Sequence, residues 1–267
     1  KDVPCVIDLV DSMSLNIERR MVFEKGLKRV IFGKELRRLI PYEKMLGRQF
    51  SQMILTAEKD KEYFGTDNIT LIPSTVSVRE FYPLWEKHCA KRIAFSGNLS
   101  YAPNIHAVLW FIEKVYPILV CEDIDFELVI IGKNPAADIL RAVEGKERIC
   151  LTGYVESMNE ALNSVGIAVA PMQSGSGMQG KILEAMACGL PVITTCVGKG
   201  SIGAGTEHGL YMADTPECFA EIIIDLLKDG ETIKQAGRCA RRFIEENHDT
   251  EGTLNILEEI YQSAVEG

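Results

Sequence analysis

No uninterrupted apolar run in this sequence approaches the roughly 18 residues that cross a bilayer. The first residues, KDVPCVIDLV, also lack the layout of a signal peptide. A cytosolic protein is expected. Positive charge is in short supply, since 29 Lys and Arg stand against 38 Asp and Glu, a formal net charge of −9. Nucleic-acid binding requires a basic face for phosphates, so no nucleic acid is expected as partner, although a local loop remains able to hold a small anion. No C-x-x-C pair occurs among the eight cysteines, which are scattered through apolar runs as reduced core thiols are. His88, His106, His208 and His248 supply no zinc-ligand spacing, and no metal is expected. G-x-x-x-x-G-K-[ST] and G-x-G-x-x-G are missing too, which removes the usual nucleoside-triphosphate and dinucleotide fingerprints.

What is present is alternation. From Arg92 onward, short apolar runs rich in β-branched residues (RIAFSG, FELVIIG, RICLTG, GIAVAP, PVITTC and GLYMAD) read as strands. Helical patterns separate them, among them PNIHAVLWFIEKVYPIL, where Pro103 opens a helix and Ile105, Leu109, Ile112 and Val115 recur on one face. Continuous apolar strands are buried on both faces, and strand–helix alternation requires right-handed parallel crossovers. The fold class is therefore α/β, with a doubly wound parallel sheet in the C-terminal part.

The first part is also α/β. CVIDLV, QMILTA and NITLIP are strand candidates, separated by helical segments over Ser14–Lys25 and Lys34–Phe50. Three strands over about 75 residues fall short of an ordinary domain, and the chain opens on a strand without a methionine. A missing N-terminal piece is expected. The stretch STVSVREFYPLWEKHCAKR, with Pro83 at its middle, reads as the linker, giving a partial domain over 1–83 and a second over 84–249. The last segment, 250–267, is expected to form a helix with Leu254, Leu257, Tyr261 and Ala264 on one stripe.

In such folds ligands bind beyond the carboxyl ends of the strands, at a topological switch point. The loops to follow are GNLSYAPN after the first strand of the second part, GYVES after the third and MQSGSGMQGK after the fourth. In the last, Gly175, Gly177 and Gly180 let backbone N–H groups approach an anion, and the helix that follows adds unsatisfied donors and the positive end of its dipole. A phosphate cradle and a tight strand-to-helix turn both fit that loop. On the helix, Ile182, Leu183, Met186 and Ala187 form the buried face while Lys181 and Glu184 share a neighbouring edge. That pair reads either as a surface i,i+3 ion pair or as a carboxylate poised for both hydroxyls of a ribose, beside a cation.

Taken together, GSGMQGKILEAMACGLPVITT, preceded by LTGYV and VGIAVAPM, resembles the donor-site signature of GT-B-fold glycosyltransferases similar to family 4, also called group 1. FSGNLSYAPNIHAVLWFIEKVYP and FELVIIGKNP resemble members associated with exopolysaccharide assembly. VIDLVDSMS, YEKMLGRQFSQMILTAEKDKEYF and NITLIPSTV resemble the second half of the family's N-terminal domain. The resemblance implies a nucleotide-sugar donor held by the C-terminal domain and a glycan or lipid-linked acceptor offered by the N-terminal one. It further implies transfer with retention of configuration, no cofactor and no required metal. It allows peripheral membrane association through the missing N-terminal part, at the inner face of the membrane, and it places the final helix back on the N-terminal part.

Residue by residue, Glu184 matches the second glutamate of the family's E-x7-E motif, which holds the ribose. Ser176 stands where the first glutamate falls, so this sequence departs from the motif there. Lys181 is placed facing the diphosphate, and backbone around Gly97, Tyr154 and Val155 lines the phosphate and base regions. Asn98 and the run Gly175, Ser176, Gly177, Met178 and Gln179 complete the implied donor site. No catalytic residue is assigned. Two rival readings are a nucleotide-sugar epimerase of the same architecture, which shares donor binding, and a donor-binding fragment without turnover.

Overall fold

A computed structural model describes residues 3–22, 24–174 and 180–266. These fall into two compact units, one comprising 3–75 and 250–266, the other 76–174 and 180–249.

The first unit holds a three-stranded parallel sheet, β1 (Val6–Val10), β2 (Gln52–Leu55) and β3 (Ile69–Leu71), in that order. Its helices are α1 (Met13–Met21), α2 (Gly26–Gln49) and α3 (Glu58–Phe64). The helix expected from Ser14 starts at Met13 because Ser12 caps it, the hydroxyl accepting from Leu15 N at 3.1 Å. The second begins at Gly26, eight residues before the expected Lys34, because Leu27, Lys28 and Arg29 are good helix formers that extend the pattern N-terminally. Leu46, Met53, Leu55, Phe64 and Ile69 form one core cluster.

The second unit is a six-stranded, wholly parallel sheet of β4 (Arg92–Ser96), β5 (Glu127–Ile131), β6 (Ile149–Gly153), β7 (Ile167–Ala170), β8 (Val192–Thr194) and β9 (Leu210–Met212). Its spatial order is β6-β5-β4-β7-β8-β9, the order of doubly wound nucleotide-binding sheets. Each of the nine apolar runs read as strands forms one. The crossover after β4 is helical from Ala102 to Cys121: α4 (Ala102–Trp110), a π-helical turn (Phe111–Val115) and α5 (Tyr116–Cys121). By length and composition this helix is apolar enough to span a membrane, but it is a core helix, with Ala107, Val108, Phe111, Val115 and Leu119 buried. The buried stripe keeps Ile112 and Val115 of the expected one, but toward its N-terminal end Asn104 and Phe111 face inward while Ile105 and Leu109 are only half-buried.

The unit boundary lies at 75/76 rather than at Pro83, because polar side chains of the second unit hold the backbone of the segment between. After α6 (Ala137–Val143), α7 (Met158–Asn163) supplies Asn159, whose Oδ1 accepts from Tyr82 N at 3.0 Å, and Asn163, whose Nδ2 donates to Tyr82 O at 3.0 Å. The Arg241 guanidinium donates to Phe81 O at 2.7 Å and Val78 O at 3.2 Å. In the first unit, the last helix (Thr250–Glu266) buries Ile260 with Ile54 and Ile72, with Leu257 and Val6 packed against them. Its contact stripe is therefore Leu257 and Ile260 with Ala264 half-buried, whereas Leu254 and Tyr261 from the expected stripe are exposed.

Candidate functional site

From β4 the chain winds outward through β5 and β6, then returns to β7 on the other side of β4 and winds the opposite way. Loops leaving β4 and β7 thus diverge, and a crevice opens beyond their carboxyl ends. A cavity of about 450 Å³ occupies that place. Ser96, Gly97 and Asn98 line it from the end of β4, Gly132 and Lys133 from the loop after β5, and Gly153, Tyr154 and Val155 from the end of β6. Met158 of α7, Asn104 of α4, and Lys181 and Glu184 of α8 (Gly180–Ala187) close it.

Two glycines make this convergence sterically feasible. A Cβ on Gly132 would lie 2.0 Å from the Gly97 carbonyl oxygen, so only glycine lets the two loops touch. They are joined there by Gly97 N donating to Ile131 O at 3.0 Å and Leu99 N donating to Lys133 O at 3.3 Å. A Cβ on Gly97, at φ +154°, would lie 2.8 Å from Asn104 Nδ2 and 3.3 Å from Lys181 Nζ. Residue 97 thus lies directly beneath the Asn104 and Lys181 side chains.

Helix α8 is anchored by Ile182, Leu183, Ala185, Met186 and Ala187, all within 1% of full burial, so the edge carrying Lys181 and Glu184 is fixed in orientation. The Lys181 ammonium donates to Asn104 Oδ1, contacts Met172 Sδ at 3.6 Å and lies 4.6 Å from the centroid of the Phe95 ring. Burial brings its pKa down from 10.5 to about 8, with Glu184 opposing the shift. Burial likewise raises the Glu184 carboxyl, and Lys181 counters it. Among the described residues no ion pair joins the two and no hydrogen bond engages the Glu184 carboxylate. The surface ion-pair reading does not describe this geometry: the cation is turned to a neutral amide and the carboxylate faces the cavity.

The structure brings together Gly97, Asn98, Tyr154, Val155, Lys181 and Glu184 of the residues singled out in the sequence. Gly175, Ser176, Gly177, Met178 and Gln179 lie outside the described residues. Asn104, Gly132, Lys133 and Met158 were not expected. The signal for Gly132 and Lys133 was FELVIIGK, a strand ending in Gly-Lys at the same sheet edge. Asn104 carried none beyond its place in the first turn of a helix. Among the described residues no cluster of three His, Cys, Asp or Glu side chains is placed to hold a metal ion.

A parallel sheet in this order, with a crevice at its switch point lined by a carboxylate and a buried cation, defines a doubly wound α/β domain. The chain belongs to the glycosyl transferases of group 1, whose family model matches residues 90–229. It is 28% identical over 243 residues to an uncharacterized 44.6 kDa protein in the cps region of Klebsiella pneumoniae, covering 86% of this chain and 61% of that one. It is 23% identical over 264 residues to the lipopolysaccharide core biosynthesis mannosyltransferase LpsB of Rhizobium meliloti (strain 1021), covering 91% and 74%. The chain thus spans about three-fifths and three-quarters of these relatives. The crystal structure of Anabaena Alr3699/HepE in complex with UDP and glucose matches with a TM-score of 0.70 at 12% identity, over 97% of this chain and 72% of that one. The fold is GT-B-like, as in such transferases.

Proposed function

We propose that this chain is the donor-binding part of a glycosyltransferase that moves a sugar, with retention of configuration, from a nucleotide-sugar to a glycan or lipid-linked acceptor in surface or exopolysaccharide synthesis on the cytoplasmic side of the membrane. In this reading the switch-point cavity takes the nucleoside diphosphate, Glu184 accepts from the ribose hydroxyls, and Lys181 faces the diphosphate with no metal required. Lys133, from the loop after β5, adds a second cation to the lining of the cavity. The observation that carries the reading is the placement of Glu184 and Lys181 on one edge of α8, facing one cavity at the crevice of a group 1 chain. Positioned donors and positive charge would stabilise the leaving diphosphate, which in transfer chemistry is usually the largest catalytic contribution. The cps-region and LpsB relatives lie on the side of surface polysaccharides, and HepE was crystallised with UDP and glucose. The family match favours transfer over epimerisation.

A thermal-shift panel of nucleoside diphosphates and their sugars tests this. A ligand present at about 100 times its dissociation constant adds roughly 2.7 kcal/mol to the stability of the unit that binds it. One base is expected to stand out from the panel. A flat panel would remove the donor-site reading.

A further inference from the structure

Among the described residues, the Lys181 ammonium is in direct contact with three uncharged groups: an amide oxygen, a thioether and an aromatic face. The amide is the one that directs it. Asn104 is 6% exposed, and its side chain is held at both ends, Nδ2 donating to Asn98 O at 2.9 Å and Oδ1 accepting from Lys181 Nζ. The orientation follows from chemistry: turned over, the amide would set its oxygen against a carbonyl and its N–H groups against an ammonium. Gly97 supplies the room, since a side chain there would collide with both groups. An aspartate at 104 would fill the same space and also bond Lys181, but it would cancel the cation. Asparagine binds the ammonium and leaves its charge free.

We propose that Asn104 is a positioning residue of the donor site: it clips Lys181 to the loop after β4 through a neutral acceptor, so that an incoming diphosphate meets a fixed positive charge. The inference rests on the donor-site reading above and deepens it by naming a residue that acts through another.

Among the described residues lining the cavity, the titratable groups besides Lys181 are three. Glu184 stands on the same helix, Lys133 comes from the loop after β5, and Tyr154 from the loop after β6; β4 and α4 contribute Phe95, Ser96 and Asn104 to the site, none of them titratable. With Lys181 titrating near 8, affinity for a diphosphate should be highest below pH 8 and fall as the ammonium is lost above it. A carboxylate placed at 104 favours the charged form and moves that titration upward by about one to three pH units. A role in packing alone would not lower diphosphate affinity while leaving that of the nucleoside unchanged.

The experiment compares the chain with Asn104→Asp and Asn104→Leu, each checked for an unchanged melting profile, in two measurements. The first follows the Lys181 side chain by NMR through a pH titration without ligand. The second titrates UDP and uridine calorimetrically at pH 7. Expected are a Lys181 midpoint near 8 in the parent and distinctly higher in Asn104→Asp, with UDP affinity lowered roughly tenfold to a hundredfold in both variants and uridine affinity little changed. A Lys181 midpoint unmoved by Asn104→Asp overturns the proposal, as does a loss of uridine binding equal to that of UDP. If the parent binds neither UDP nor another nucleoside diphosphate, the donor-site reading fails, and the midpoint comparison still decides whether Asn104 sets the state of Lys181. Should Asn104→Leu alone fail to fold, the isosteric aspartate variant decides.

Discussion

The two sheets of this chain are parallel and flanked by helices, yet they are held in different ways. In the second unit the central strands are covered on both faces: all four residues of β7 are buried, and Leu128 to Ile131 of β5 are within 2% of full burial. Aromatic rings close the helical layer, with Phe219 edge-on to Trp110 at 5.6 Å and to Phe111 at 6.0 Å. In the first unit β1 has no fully buried residue. Its turn into α1 is instead fixed by a polar knot. Ser12 N donates to Asp60 Oδ1 at 3.3 Å, its hydroxyl donates to Glu43 Oε2 at 3.0 Å, and Ser14 N donates to Glu43 Oε1 at 3.2 Å. Ser12, Ser14, Glu43 and Asp60 are all buried, and burial raises the Asp60 carboxyl above its usual range against the bond from Ser12. Two carboxylates kept out of water cost stability unless every oxygen is engaged. The comparison teaches that the same α/β topology is stabilised in the second unit by apolar area and in the first by a smaller apolar core together with donor–acceptor matching around a single turn.

The comparison can be broken at either end. Removing Phe219 leaves a cavity against Trp110 and Phe111, so Phe219→Ala should lower the stability of the second unit by about 3–5 kcal/mol in denaturant unfolding. A loss below about 1 kcal/mol would mean that apolar packing is not what holds it. Glu43→Ala strands the Ser12 hydroxyl and the Ser14 N–H in a dry turn, and should cost about 1–3 kcal/mol, read as earlier hydrogen exchange in β1 and α1. If Glu43→Ala left exchange in β1 unchanged, the knot would be ornament and the contrast between the units would disappear.

Much of the fold was legible because buried parallel strands announce themselves as short β-branched runs, and all nine were read that way. Helix faces were harder. Ile105 and Leu109 look more core-like than Asn104, and only the packed sheet shows that the amide, not the isoleucine, is turned inward. The compact units part at 75/76, earlier in the linker than Pro83. Pro83 marks a break in local conformation, whereas the linker backbone is held to the second unit by long-range bonds from Arg241, Asn159 and Asn163, and no local pattern encodes these. In the site, Lys181 and Glu184 were visible through their helical spacing. Gly132, Lys133 and Asn104 were not, because their convergence depends on β5 and β4 being neighbours in the sheet, a fact of topology rather than of sequence spacing.

The central claim is that the Glu184 carboxylate holds a ribose at the switch point of the second unit. Calorimetric titration of the chain and of Glu184→Gln with a ribonucleoside diphosphate and its 2′-deoxy analogue tests it most directly. Two charge-assisted bonds of about 1.5–3 kcal/mol are at stake, so the parent should prefer the ribonucleotide. Glu184→Gln should bind it about tenfold to a few hundredfold more weakly, with the preference largely lost and folding unchanged. Equal discrimination between the two ligands by both proteins would contradict the account and remove Glu184 from the site.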